Sequence, residues 1–259
     1  RKGGLERYYD KIVNGMTSRG YQREFAEAIF EQIKGFSEYG FPESHAASFA
    51  LLVYASCWIK CHHPAEFLAA MLNSQPLGFY SASQLVQDAK RHGVEVRRVD
   101  VMSSEWDCTL EGLPHPPAVR LGLRLVVGLK AESALRILKA RRERPFDGAE
   151  DLARRAEIEQ HEMTLLAAAD ALMSLAGHRR QQVWEAAGQR SAPQLLKQAP
   201  VNEEELELPA APEGEEVVWD YAATGLTLRR HPLAILRPVL AKQGWCTAAA
   251  LHDLPDGRL

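Results

Sequence analysis

Residues 39–74, YGFPESHAASFALLVYASCWIKCHHPAEFLAAMLNS, decide the fold class of this chain. Nearly every side chain from residue 46 to residue 59 is small or apolar, which is the pattern of a helix that needs burial on most of its faces. Ser44 is placed to cap that helix. The apolar run is shorter than the ~20 residues that cross a bilayer, so we expect an interior helix. Pro64 suits the first turn of a second helix, whose apolar stripe is Phe67, Leu68, Met71 and Leu72.

This stretch, continued through QPLGFY at 75–80, resembles the end of the fingers region of bacterial C-family DNA polymerases, the class that includes the polymerase III alpha subunit. NSQPLGFY at 73–80, followed by QLVQDAKRHGVEVRRVDV at 84–101, is similar to the error-prone, mutagenesis-associated branch. The resemblance implies a DNA-directed DNA polymerase that copies damaged templates, in translesion synthesis, DNA repair and SOS mutagenesis.

The chain has 259 residues, of which 46% are hydrophobic and 25% charged, as in an ordinary globular protein. This length favours about two domains. The net charge of −3 gives no global indication of nucleic-acid binding. The four cysteines follow no disulfide framework, and we expect a reduced, cytoplasmic setting without a membrane span. The first residue is not methionine, which favours a section of a longer protein.

The flanking segments favour helices with a small sheet between them. An apolar stripe at 25–36 is expected to pack on the interior helix; it comprises Phe25, Ala28, Ile29, Ile33 and Phe36. Ser81 or Ser83 caps a further helix that ends at His92-Gly93. The β-branched runs VEVRRVDV and AVRLGL favour short extended segments. The expected fold is therefore mainly α, with a helical fingers end at 1–93 and a small β connection at 94–123.

Residues 124–190 resemble a tandem helix-hairpin-helix DNA-binding domain. In VVGLKAESALRI, Gly128 follows two apolar residues, Lys130 stands where the motif usually has its second glycine, and Ala134 occupies the alanine position. Glycine lets a backbone approach a phosphate, and N–H groups at a helix start attract anions. In the partner half, LAAADALMSL lacks the glycine pair, so we interpret it as scaffold, with Arg179 and Arg180 as weaker phosphate candidates.

Positive charge accumulates around the first hairpin. Residues 120–144 carry eight basic side chains against Glu132 and Glu143. A solvated helix face is the alternative interpretation. We predict contacts to the DNA backbone without sequence readout, from Arg124, Gly128, Lys130, Ser133, Arg136, Lys139, Arg141 and Arg142.

The last third is predicted to be an acidic linker at 191–220 and a helical approach to a truncated oligonucleotide-binding barrel at 221–259. Residues 201–220 contain eight acids and no base, together with Pro209 and Pro212. This pattern favours a solvated linker or an interaction segment. LELPAAP has no aromatic residue, so we find no clamp-binding peptide. His231-Pro232 marks the start of a helix.

No catalytic residue and no metal ligand is nominated. The cluster Cys57, Cys61, His62 and His63 has metal-like spacing, but structural zinc sites usually draw their ligands from two separated elements. His45 either approaches nucleotide or buttresses the core. The resemblance implies metal-assisted nucleotidyl transfer with Mg²⁺ held by palm carboxylates outside this chain, which alone is expected to be inactive.

The implied partners are primer-template DNA, accessory mutagenesis proteins and, indirectly, the sliding clamp. Two alternatives stay open from the sequence alone. One is the same region of a replicative alpha subunit, whose mark would be a clamp peptide. The other is a free-standing helix-hairpin-helix DNA-binding adaptor, which would need natural chain ends.

Overall fold

Helices dominate the computed structural model, which describes residues 5–38, 43–112, 116–189 and 206–253. The mainly α fold class is confirmed. The N-terminal helices are α1 (Tyr9–Thr17), α2 (Arg23–Glu38), α3 (Glu43–His62), α4 (Pro64–Asn73) and α5 (Ala82–Arg91). The later helices are α6 (Ala131–Glu143), α7 (Ala149–Arg155), α8 (Gln160–Ala168), α9 (Met173–Ala176), α10 (Arg179–Gly188), α11 (Glu213–Thr224) and α12 (Pro232–Lys242). None of these helices is both long and apolar enough to span a bilayer.

The chain divides into two compact units, Arg1–Trp58 and Ile59–Leu259. In the first unit, α1 packs against α2 around a core of Val13, Ala26 and Phe30. The predicted stripe of α2 is wrong, because Phe25 and Ile33 are exposed while Ala26 and Phe30 face α1. Both faces of α2 carry apolar residues, and the spacing alone could not decide between them.

Helix α3 differs from the interior helix expected for it. It begins at Glu43, one residue before the predicted cap, and the side chains of 43–46 lie outside the described residues, so the hypotheses on Ser44 and His45 stay untested there. From residue 47 to residue 62 every side chain is exposed. The interior prediction is therefore wrong for this part. The predicted break is confirmed, since α3 ends at His62 and α4 begins with Pro64.

The second unit opens with predictable helix ends. Ser81 caps α5 in a capping box with Gln84, and Gly93 follows the helix with a φ of +83°. A three-stranded sheet comes next, in the order β1 (Val96–Arg97), β3 (Ala118–Arg120), β2 (Thr109–Glu111). Strand β1 is parallel and β2 antiparallel to β3. The sheet was predicted from the runs at 94–101 and 118–123, which contain β1 and β3, and β2 lies between those two runs.

One continuous core joins the sheet to the helices of the second unit. It contains Leu72 from α4, Val119 from β3, Ile137 from α6 and Leu166 from α8, all fully buried. Helix α10 packs on α8.

Residues 213–224, the end of the predicted acidic linker and the start of the segment after it, form α11, which also packs on α8. Glu216 and Asp220 are buried, so a solvated linker is the wrong description for this part. The reason is that basic partners compensate these acids, as described below. Residues 190–205 lie outside the described part of the chain. Helix α12 begins after His231, whose side chain accepts from the Leu233 N–H, as the His-Pro pair predicted.

Candidate nucleic-acid interface

The first hairpin, residues 123–143, consists of a 3₁₀ turn at Leu123–Leu125, a connecting turn and α6. Val126 and Leu129 are buried and fix the turn. Between them Gly128 is exposed and has a φ of +85°, a conformation that favours glycine. Lys130 precedes α6 without capping it through its side chain. The start of α6 thus presents uncapped N–H groups and the positive end of the helix dipole beside an exposed glycine.

Three basic side chains of this hairpin face solvent. Lys130 and Lys139 are exposed and form no hydrogen bond or ion pair among the described residues. Arg142 is 75% exposed, and its nearest carboxylate oxygen, on Glu105, is 3.9 Å away. Lys139 and Arg142 are neighbours on α6, three residues apart. Glu132, also exposed, is the one acid in the first turn of α6. These cations are available to an anionic ligand.

Three other predicted contacts are engaged inside the protein. Ser133 is 1% exposed and donates to Glu162. Arg136 donates to the Ala156 carbonyl at 3.0 Å and to Glu162 at 3.1 Å. Arg141 donates to the carbonyl oxygens of Val101 (2.8 Å) and Ser104 (2.7 Å) and to the Glu105 carboxylate (2.7 Å). These side chains hold α6 against the adjacent loops.

The carboxylate of Glu162 shows the electrostatic effect of this arrangement. Burial alone would raise its pKa, but the Ser133 hydroxyl, the Glu159 N–H and the charges of Arg136 and Lys130 hold the pKa below its usual range. Glu162 is therefore an anchor for the first hairpin.

The remaining arginines between residues 120 and 144 also have partners inside the protein. Arg124 donates to the Asn73 carbonyl and to Asp107, both at 2.7 Å. Arg120 forms two bonds to Glu111, at 2.8 and 3.0 Å. Arg144 lies 3.0 Å from Asp151. Of the predicted DNA-contacting residues, the structure leaves an open set at the hairpin: Gly128, Lys130, Lys139 and Arg142.

The second hairpin consists of α9, residues 177–178 and α10. Gly177 has a φ of +70° and immediately precedes the N-cap His178, so this half does contain a glycine-led helix start. The prediction for this half rested on LAAADALMSL at 166–175, which ends two residues before Gly177, so it did not include this helix start. The Ala-Gly-His step was the available signal. Arg179 is 3% exposed, so it is unavailable to a phosphate in this structure.

A groove of about 240 Å³ lies between α10 and α11. Its walls are mainly apolar and include Val183, Trp184, Leu208 and Trp219. Both indole rings are partly exposed, Trp184 by 54% and Trp219 by 40%.

The cysteine-histidine corner forms no metal-like cluster. Cys57 and Cys61 are exposed, and Cys108 is buried beside the Gly122 N–H. Among the described residues no group of three or more His, Cys, Asp or Glu side chains lies close enough to hold a metal ion.

Comparison with known proteins identifies a domain and a set of relatives. Residues 93–182 match the family model of the helix-hairpin-helix motif. The whole chain is 51% identical to an error-prone DNA polymerase of Methylococcus capsulatus and 54% identical to those of Bordetella parapertussis and Aromatoleum aromaticum. Each alignment covers 100% of this chain but only 25–27% of the relative. The chain therefore spans about a quarter of the length of these relatives, and the predicted resemblance to the error-prone branch is confirmed.

Proposed function

We propose that this chain is the section of an error-prone DNA-directed DNA polymerase that holds primer-template DNA by its backbone. The observation that carries the proposal is the 51–54% identity, along all of this chain, to about a quarter of proteins named error-prone DNA polymerase, combined with the open start of α6. A helix start with free N–H groups is suited to a phosphate oxygen, and the adjoining lysines add a sequence-independent attraction.

The first hairpin supplies the contacts in this proposal. Gly128 allows the backbone to approach a phosphate, and Lys130 lies beside the same turn. Lys139 and Arg142 extend the positive charge along α6. Since these groups recognise phosphate and not base edges, binding is expected to be independent of sequence.

The chemistry belongs to the whole protein. We propose nucleotidyl transfer that tolerates damaged templates, in translesion synthesis and SOS mutagenesis, with Mg²⁺ as the cofactor that activates the 3′-hydroxyl and stabilises the phosphates. The described residues of this chain contain no cluster that fits such ions. Accordingly, we assign this chain DNA holding only and expect no polymerase activity from it alone.

The proposed setting is the bacterial cytoplasm, with accessory mutagenesis proteins as partners and the sliding clamp engaged indirectly. This rests on the similarity to the error-prone polymerases.

The test is a fluorescence-anisotropy titration of labelled primer-template DNA at several salt concentrations. A hairpin that neutralises two to three phosphates gives a log–log slope of about −2 to −3, at ~0.9 per phosphate. The variant K130E/K139E/R142E is expected to lower affinity and bring the slope close to zero, equally for unrelated DNA sequences.

The matched control is K11E/R19E/K242E, which makes the same change of net charge at exposed positions elsewhere. It should retain most of the affinity and the slope. Equal losses in both variants would mean that overall charge, and not the hairpin, governs binding. A sequence-selective loss would also contradict the proposal.

A further inference from the structure

The first turn of α10, residues 178–181, is the counterpart of the open start of α6. Gly177 precedes it with a φ of +70°, as Gly128 with a φ of +85° precedes α6. Both turns lie at the positive end of a helix dipole, which favours an anion, although in α10 the Gln181 N–H is capped by the His178 side chain.

In the second hairpin this turn is covered by a segment of the same chain. His178 accepts from the Gln181 N–H at Nδ1 and donates through Nε2 to the Leu208 carbonyl at 2.6 Å. The Gln181 side-chain oxygen accepts from the Leu208 N–H at 3.3 Å. Arg180 pairs with Glu215 at 2.9 Å. We call residues 208–220 the acidic clasp.

The centre of this contact is a buried set of charges. Arg179 bonds the Asp220 carboxylate and lies 3.1 Å from a carboxylate oxygen of Glu216. Arg229 reaches the same two acids, at 2.7 Å to Glu216 and 3.3 Å to Asp220. The Nε atom of Arg179 is buried without a hydrogen-bond partner among the described residues. The Arg179 guanidinium also donates to the Glu216 carbonyl at 2.8 Å, and Asp170, outside the clasp, lies 4.0 Å from it.

We infer that the acidic clasp is a built-in ligand of the second hairpin: its carboxylates, bound to Arg179 and Arg180, take the place that DNA phosphates would take on these two side chains. The second hairpin binds its own chain, and duplex DNA is held by the first hairpin alone. The part of this inference that concerns DNA rests on the function proposed above. The docking of the clasp does not.

Neutralising the clasp should expose a latent phosphate site. E216Q/D220N keeps the shape of both side chains and removes both charges. Combined with K130E/K139E/R142E, which disables the first hairpin, it is expected to restore salt-dependent DNA binding with a slope of about −1 to −2, at ~0.9 per phosphate. The control E207Q/E213Q removes two charges as well, one directly before the clasp and one within it, both outside the buried set, and should restore none.

The outcomes separate the two proposals. If K130E/K139E/R142E binds DNA as well as the unmodified chain, the function proposed for the first hairpin fails. If that variant loses binding and E216Q/D220N, while folded, does not restore it, only the clasp inference fails.

A milder variant covers the case in which E216Q/D220N does not fold. Thr227 donates to Asp220 at 2.6 Å, so Thr227→Ala loosens the clasp without changing its charge. Hydrogen exchange in α11 should then accelerate, while exchange in α5 stays unchanged. Unchanged exchange in α11 would overturn the inference.

Discussion

Between residues 120 and 144 every arginine except Arg142 is held by acceptors of the protein, whereas both lysines face solvent. Arg136 and Arg141 each donate to several oxygens of neighbouring loops. Lys130 and Lys139 reach into solvent. The planar guanidinium carries five donors and can satisfy several carbonyls at once, whereas the ammonium is a compact, strongly hydrated charge. Charge counting in the sequence treats both residue types alike and so overestimates the DNA-binding set.

Arg141→Lys should destabilise the protein although the charge is kept. One ammonium cannot reach both the Val101 and Ser104 carbonyls and the Glu105 carboxylate, so a buried acceptor loses its partner at a cost of roughly 1–3 kcal/mol. Chemical denaturation measures the loss. Lys139→Arg, on the same helix and exposed, is the control and should leave the midpoint unchanged; equal midpoints for both variants would contradict the role given to Arg141.

Gly122 is required because of its close neighbours. A Cβ at this position would overlap the Trp106 carbonyl oxygen and the Asp107 backbone. Gly122→Ala should therefore cost roughly 1–3 kcal/mol from overpacking, seen as a lower thermal midpoint. Gly78→Ala is the control, since nothing lies within 4 Å of the added Cβ there. A midpoint shift no larger than that of Gly78→Ala would show that the backbone yields easily.

At the scale of elements, helix boundaries follow from local chemistry. Ser81, Pro64 and the His231-Pro232 pair mark helix starts, because capping and a fixed φ act within one turn. Burial of a helix depends on distant segments. The apolar composition of α3 predicts that it needs cover but does not say which segment supplies it. In the same way, the acids of α11 suggest a solvated segment when the sequence is considered locally, because their buried partners Arg179 and Arg229 lie elsewhere in the chain.

In the small sheet, the Glu111 carboxylate of β2 bonds arginines from the other two strands. Glu111 accepts from Arg120, on the neighbouring strand β3, and from Arg97 of β1 at 2.8 Å. The hydrogen bonds from Arg120 first, and then from Arg97, lower the pKa of Glu111 below its usual range in spite of burial.

This carboxylate should make the sheet acid-sensitive. Because the folded-state pKa of Glu111 is depressed, its contribution is complete above the unfolded-state pKa, about 4.3, and is lost as the pH falls through the folded-state pKa. The difference in thermal midpoint between the unmodified chain and Glu111→Gln should be constant near pH 7 and shrink below about pH 4. Glu132→Gln, at an exposed position, should show no such trend. A difference that grows toward acid would reverse the assignment.

At the scale of the whole molecule, the two units have unequal cores. The buried core of the first unit consists, among its described residues, of Val13, Ala26 and Phe30, whereas the second unit has a continuous core from α4 to α11. Regions with few buried apolar contacts open more readily.

Hydrogen exchange should show that the first unit, with its smaller core, opens more readily than the second. Amides of α1 and α2 are expected to exchange faster than those of α8 and α10. Phe30→Ala, at a cost of roughly 3–5 kcal/mol, should unprotect residues 9–38 and leave α8 unaffected. Leu166→Ala should act on the second unit. Uniform protection along the chain would contradict the division.

Contacts between distant segments of the chain also decide which of the two hairpins has an open helix start. The motif around Gly128 is visible in the sequence, and so is Gly177. The second start is covered by residues 208–220, and Leu208 lies 30 positions after His178. No local sequence pattern indicates that this segment returns to α10.

The groove between α10 and α11 contains an intrinsic fluorescence probe of helix packing. Trp184 belongs to one helix and Trp219 to the other, and both indoles are only partly shielded from water. If α10 and α11 separated, the fluorescence emission of the two tryptophans would shift to longer wavelength, and iodide would quench it faster. Difference spectra against Trp184→Phe and Trp219→Phe would isolate that signal, so the seating of α11 can be followed in solution without an attached dye.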